Sequence, residues 1–203
     1  MKLPSLFQWR ILKLALVSLF SRAYTTKFPK IKYEPIPQFR GRPRYDEKEC
    51  IGCGACAEVC PADAIDMTDS AGALPPVRTF IHHLDTCIQC GMCEKYCTTE
   101  KGIKLTNEWE FVGFSPQDFE HGVKKELLLC EQCGGTIAPL DQIRWLVNRL
   151  GPLAFCNPTV MLVSHKELAV VDKGFDGGEA YPGRGRRITI QCPRCRRKTA
   201  LAA

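Results

Sequence analysis

A chain of 203 residues has room for one ordinary domain or two small ones. With 45% hydrophobic and 25% charged residues it can build a packed core, which excludes global disorder and also collagen, low-complexity and heptad architectures. The net charge of +6 hides three blocks: residues 1–49 hold 11 Lys and Arg against 4 acids, residues 50–182 hold 10 against 18, and residues 183–203 hold 7 against none.

The basic ends, rather than the whole surface, are therefore the parts that meet anionic partners. Residues 1–33 contain no acid. On a helical projection Lys2, Arg10 and Lys13 share one stripe, while Leu6, Phe7, Ile11, Leu12, Leu14, Leu16, Val17, Leu19 and Phe20 cover most of the remaining surface. The apolar stretch over 14–21 falls far short of the ~20 residues needed to cross a bilayer. Such a helix suits a membrane interface or a groove on a membrane subunit. The same composition also fits a mitochondrial presequence or a helix buried in a soluble core, while Ser21-Arg22-Ala23 makes a poor secretory cleavage site. Residues 28–43 carry four prolines and predict an extended strap.

Cysteines dominate the chain from residue 50 onward: there are 13, and 12 fall into patterns. Cys50, Cys53, Cys56 and Cys60 follow C-x2-C-x2-C-x3-C, and Cys87, Cys90, Cys93 and Cys97 repeat it. Three thiolates at this spacing wrap one face of an iron–sulfur cubane, and in two-cluster ferredoxins the fourth cysteine of each run serves the other cluster. The expected sets are Cys50, Cys53, Cys56 and Cys97 for cluster one, and Cys87, Cys90, Cys93 and Cys60 for cluster two. Ile51 and Ile88 hold matching positions and are expected to shield the clusters from water. A disulfide framework lacks a clear secretory signal, and structural zinc does not call for triple runs.

The surroundings read as an internal duplication. Ala64-Ile65-Asp66-Met67 and Gly102-Ile103-Lys104-Leu105 come after the two runs as short strands, Thr79 to His83 is a third strand, and Ser70 to Ala73 is a turn. Residues 57–60 and 94–97 would open short helices. Pro61 follows Cys60, but Thr98 follows Cys97, a departure that can alter the chain path and cluster potential without removing a ligand. Met67 and Met161 read as core, and His82 and His83 as a strand end rather than ligands.

These residues resemble chain I of respiratory complex I, and more closely the ferredoxin-type subunit of formate hydrogenlyase and related membrane-bound, energy-converting (group 4) [NiFe]-hydrogenases. The resemblance is carried by Phe39-Arg40-Gly41-Arg42-Pro43, by Cys50-Ile51-Gly52-Cys53-Gly54-Ala55-Cys56 with Cys60-Pro61, and by Cys87-Ile88-Gln89-Cys90-Gly91-Met92-Cys93-Glu94. The approach Lys27-Phe28-Pro29, ahead of Pro35 and Pro37, matches as well, and the likeness covers about residues 10–115. It implies two [4Fe–4S] clusters between a catalytic module and the hydrogenase or complex I core, on the cytoplasmic side of a membrane arm. It also implies an interfacial helix at the N-terminus. The additional C-terminal cysteine pairs favour the hydrogenase branch.

In the C-terminal region Cys130-Glu131-Gln132-Cys133-Gly134-Gly135 and Cys192-Pro193-Arg194-Cys195 read as two metal knuckles forming one four-cysteine site of ribbon type. Zinc is the first candidate there, and a rubredoxin-like single iron, which takes the same ligands, the second. Residues 140–150 predict an amphipathic helix with Ile143, Leu146, Val147 and Leu150 on one face, closed by Gly151-Pro152, and Trp145 reads as packing. Val160 to Val163 and Leu168 to Val171 predict strands, Phe175 to Arg187 a glycine-rich loop, and Cys156 a buried thiol. Arg184, Arg186, Arg187, Arg194, Arg196, Arg197 and Lys198 form a basic tail without the aromatic interleaving of a nucleic-acid binder, so no nucleic acid is expected.

The expected fold class is α+β: a two-cluster ferredoxin-like domain with an N-terminal interfacial helix and a C-terminal four-cysteine ribbon-like domain. The divisions are 1–27 for the membrane-interface helix, 28–44 for the strap, 45–115 for the ferredoxin domain and 116–203 for the metal-ribbon domain with its basic tail. No general base, nucleophile or open metal site is visible, so the chain is expected to conduct electrons and not to transform a substrate. Expected partners are the hydrogenase small and large subunits, a membrane arm and an electron-input module, with the chain peripheral on the cytoplasmic side of the inner (plasma) membrane. A chain I-type subunit of a complex I-like NADH/quinone oxidoreductase is the alternative.

Overall fold

The computed structural model describes residues 8–168 and 189–201. Lys2, Leu6, Phe7, most of the 168–171 strand, the 175–187 loop, and Arg184, Arg186 and Arg187 lie outside the described residues. The chain divides into two units, 1–38 and 39–203.

In the first unit, α1 (Trp9–Phe20) is a helix with no buried residue. Trp9, Leu14, Leu19 and Phe20 are all more than two-thirds exposed. Residues 28–38 carry no regular helix or strand, as the prolines require. Among the described residues no helix is long and apolar enough to cross a membrane.

In the second unit two antiparallel sheets hold the cysteine runs. β1 (Pro43–Tyr45) pairs with β4 (Ile103–Leu105), Tyr45 opposite Ile103, so the chain before the first run is tied to the chain after the second. β2 (Ile65–Ser70) and β3 (Val77–His83) form a hairpin, and the sheet continues through β5 (Glu120–Leu129) to β6 (Thr136–Pro139) in the order β2-β3-β5-β6. Alternation sets the buried face: Phe80 and His82 on β3, and Val123, Lys125 and Leu127 on β5, are buried. Phe80 stands opposite Val123 and packs with Ile65 against Tyr45, Cys50, Cys56 and Cys93.

Four differences from the sequence reading have physical causes. The boundary at 115/116 falls just ahead of β5, whose residues 120–126 pair with β3, so the sheet begun by β2 and β3 continues past that boundary. The two short helices start earlier than expected, α2 at Ala55–Glu58 and α3 at Met92–Lys95, each launched by a left-handed glycine, Gly54 or Gly91. Val160 to Val163 are helical, within α5 (Pro158–Glu167): the Asn157 side chain accepts from Thr159 N at 3.0 Å and Pro158 fills the first turn, a start signal that overrides the β-branched run. The second knuckle opens a helix, α6 (Pro193–Leu201), so the C-terminal cysteines are carried by one hairpin and one helix rather than by the two hairpins of a ribbon.

The helix α4 (Leu140–Leu150) spans the expected residues and ends at Gly151, φ +54°. It packs with the 3-10 turn Gly151–Cys156, α5 and Ile190 in a second apolar cluster built on Ile143, Ala154, Val160 and Val163. Cys156, expected buried, is exposed on that turn, and Met67, expected in the core, is exposed although it stands opposite Phe80, because β2 is the edge strand of its sheet; a Cβ on Gly54 would stand 2.9 Å from its Sδ.

Candidate metal centres

The duplication is written in the backbone. Positive φ recurs at matching places in the two halves: Gly52 (+70°) with Gln89 (+53°), Gly54 (+86°) with Gly91 (+80°), and Asp63 (+51°) with Glu100 (+61°). A side chain is strained in this region, so its repetition at Gln89, Asp63 and Glu100 marks one loop geometry imposed twice.

Two cavities result. One is lined by Cys50, Cys53, Cys56 and Cys97 together with Tyr45, Ile51, Phe80 and Ile103. The other is lined by Cys60, Cys87, Cys90 and Cys93 together with Ile65, His82 and Leu105. In each, three thiols come from one run and the fourth from the other. Gly102 is what lets Cys97 reach the first set: a Cβ there would stand 3.0 Å from Cys50 Cα and 3.3 Å from Cys97 Sγ. Soft sulfur donors in an apolar enclosure fit an iron–sulfur cubane.

The sulfurs are hydrogen-bonded differently in the two cavities. Around the first, Thr98 Oγ1 lies 3.2 Å from Cys53 Sγ, Thr99 Oγ1 3.5 Å from Cys97 Sγ, and Tyr45 OH 3.6 Å from Cys56 Sγ. Around the second, Ala64 N donates to Cys60 Sγ at 3.3 Å and Gln89 N to Cys87 Sγ at 3.4 Å. The residue that stands where the second proline would be, Thr98, thus brings a hydroxyl to the Cys53 sulfur, a contact the spacing alone could not show. Burial pushes the Cys56 thiol up to about 11 and the Cys93 thiol up to about 12, so metal loading must displace their protons. Burial also pushes Cys97 up, but the Thr99 hydroxyl and the surrounding N–H groups more than reverse it.

The shielding isoleucines differ. Ile51 is buried, whereas Ile88 is 65% exposed; Lys125 of β5 and Pro139 of β6 lie against the first loop at Gly52, while a Cβ on the second loop's Gly91 would meet Leu105 alone. On that open loop Arg40 Nη1 donates to Cys90 O at 3.1 Å.

At the C-terminal end the sulfurs of Cys130, Cys133, Cys192 and Cys195 all lie within 4.8 Å of one another, and Cys133 Sγ stands 3.8 Å from Cys192 Sγ. A tetrahedron with ~2.3 Å metal–sulfur bonds has edges of about 3.8 Å. Glu131 clamps the two knuckles: its N–H donates to Ile190 O, its carboxylate accepts from Ile190 N, both at 2.9 Å, and Lys166 pairs with it. Burial pushes Cys130 up, but the N–H groups of Cys192, Cys133 and Gln132 draw it down to about 6, while the Cys133 thiol pushes Cys195 up to about 12. A cation bound by the four sulfurs would displace the protons of Cys130 and Cys195 alike.

Fold and cysteine geometry define the class: a ferredoxin-type protein shaped for two cubane clusters, with a further four-cysteine group. Residues 49–103 match the 4Fe-4S dicluster domain. NADH-quinone oxidoreductase subunit I 2 of Geobacter metallireducens is 30% identical over 125 residues, 58% of this chain and 92% of that protein. Formate hydrogenlyase subunit 6 of Escherichia coli is 29% identical over 130 residues, 62% of this chain and 68% of that protein. A chain in the structure of the membrane-bound sulfane sulfur reductase, an archaeal respiratory membrane complex, is 28% identical, with 58% of this chain and 61% of that chain covered at a TM-score of 0.39. The chain belongs to the family of NADH-quinone oxidoreductase subunit I. It is an iron–sulfur electron-transfer subunit, homologous also to formate hydrogenlyase subunit 6.

Proposed function

We propose that Cys50, Cys53, Cys56 and Cys97 hold one [4Fe–4S] cluster and Cys87, Cys90, Cys93 and Cys60 a second. The chain then passes electrons between a catalytic module such as formate dehydrogenase and the hydrogenase core of a membrane-bound complex. When bound, each cluster accepts and releases one electron at a time. The protein's part is to hold both sets of thiolates, keep water away and tune the charge around them. The observation that carries the reading is the crosswise grouping of eight thiols around two enclosed cavities. The chain I-type role in a complex I-like NADH/quinone oxidoreductase is the second reading, supported by the 92% coverage of the Geobacter relative.

Helix α1, whose residues are all exposed, is the attachment to the membrane surface on the cytoplasmic side of the inner membrane. The strap over 28–44 and the basic tail that includes Arg194, Arg197 and Lys198 serve as partner-facing segments. The four-cysteine group holds zinc, with a single iron as the competing occupant. The partners are a hydrogenase small and large subunit, a membrane arm and an electron-input module. Co-purification with a [NiFe] large subunit favours the first reading, and co-purification with a quinone-site subunit and a hydride-donor module favours the second.

Ligation is tested one cluster at a time. Cys53→Ala and Cys90→Ala are each expected to abolish a different cluster signal in EPR of the anaerobically loaded chain. If either variant keeps both signals at full intensity, the assignment is wrong.

A further inference from the structure

A lysine occupies the buried face of β5. Val123, Lys125 and Leu127 alternate inward, and Lys125 is 7% exposed. The register sets Arg78 of β3 directly opposite, and its side chain is 14% exposed. Like charges facing each other across a strand pair repel, and burying them adds a desolvation cost, so this arrangement needs an anionic neighbour.

Both cations close on the loop that carries the first cysteine run. Arg78 Nη1 donates to Gly52 O at 3.0 Å. A Cβ on Gly52 would stand 3.1 Å from Lys125 Cγ, so the lysine stem lies against that loop. The ammonium donates to Glu47 O and, at 2.9 Å, to Asp141 Oδ2. Arg78 is held by both oxygens of Asp69, at 2.7 and 2.9 Å. The carboxylates are the wetter partners, Asp69 29% and Asp141 36% exposed, and Asp141 is shared with Arg144. Water therefore screens the negative ends more than the positive ones. Among the described residues the matching loop of the second run has the exposed Arg40 on its carbonyl and an open Ile88 beside it.

We propose that Lys125, backed by Arg78, is a positioning residue for charge: it raises the reduction potential of the Cys50/Cys53/Cys56/Cys97 cluster relative to its neighbour. The inference rests on the two-cluster reading above. Reduction adds a negative charge to a cluster, and a buried cation stabilises the reduced form more than the oxidised one. The hydroxyls of Thr98 and Thr99 act in the same direction. Because Lys125 comes from β5, downstream of both cysteine runs, the C-terminal half of the chain sets where the transferred electron rests.

The test is a redox titration of the full chain, loaded anaerobically with iron and sulfide, each cluster followed by its EPR signal as identified with the cysteine variants. Lys125→Met keeps the stem and removes the charge. Reduction of the first cluster is expected to become about tenfold less favourable, a fall of ~59 mV, with the second cluster unmoved. Lys125→Arg is expected to keep the wild-type value, and Asp141→Asn, which removes the opposing carboxylate, to shift the first cluster upward. A merely structural lysine would give Lys125→Met and Asp141→Asn shifts of the same sign, or move both clusters together. Either of those results, or an unchanged first midpoint in Lys125→Met, overturns the proposal. Absence of both cluster signals in the wild-type chain overturns the two-cluster reading beneath it instead.

Discussion

His82 and His121 sit ring against ring, centroids 5.0 Å apart, with Tyr45 alongside both. Burial, and then the charges of Arg42 and Arg44, push His121 down from 6.5 to about 4; burial, then His121, His83 and Arg42, push His82 down equally far. The unfolded chain takes up these protons below pH 6.5, whereas the folded chain resists until about pH 4. Stability is therefore complete above pH 6.5 and drains away as the pH falls towards 4. His121→Phe keeps a ring in the stack and removes one titration, so it is expected to flatten the fall in denaturant midpoint across that window. An unchanged slope would place the acid sensitivity elsewhere. The sequence marked His82 only as part of a strand end; its burial depends on a partner on β5 that no local pattern announces.

Strands β3 and β5 approach at a glycine. A Cβ on Gly122 would stand 1.9 Å from Phe80 O, so Gly122→Ala cannot keep the pairing as it is. Overpacking of this kind costs about 1–3 kcal/mol, which reads as roughly 2–4 °C of Tm per kcal/mol in a chain of this size. The variant is also expected to expose the first cysteine loop, seen as faster loss of the first cluster's EPR signal in air, because Lys125 and Pro139 would withdraw from Gly52. Equal lifetimes in variant and wild type would contradict that cover. The short elements were legible where local chemistry decides them: β2, β3 and β4 from alternation around each cysteine run, and α4 from its apolar face and the Gly151-Pro152 stop. β5 was not. Its charges at Lys124, Lys125 and Glu126 mask the period-two pattern, and its role depends on the free edge of β3, which is 37 or more residues away in the chain by the pairing of His83 with Glu120 and of Val77 with Glu126. The helix at α5 was misread because Val160 to Val163 carry strand-favouring side chains, while the deciding signal, Asn157-Pro158, lies just upstream.

Across the whole molecule, sulfur draws distant segments together. The four-cysteine group joins the end of β5 to the start of α6, with Cys192 N donating to Cys130 Sγ across 62 residues. Cys195→Ser is expected to release the metal bound there, measured as one equivalent per chain, and to lower Tm, while both cluster signals persist because their ligands are separate. Unchanged metal content, or loss of a cluster signal, would contradict this division of labour. The pairing of the two knuckles was legible from C-x2-C spacing, but the helix that carries the second was not, since Pro193 starts a helix as readily as it stiffens a turn. The two larger sulfur groups carry the central claim, and direct chemical analysis tests it. Iron and acid-labile sulfide are measured on the anaerobically purified chain, with zinc alongside. The account predicts about eight iron and eight sulfide per chain for two [4Fe–4S] clusters. Sulfide near zero, with zinc in place of iron on the eight cysteines of the paired runs, would contradict it.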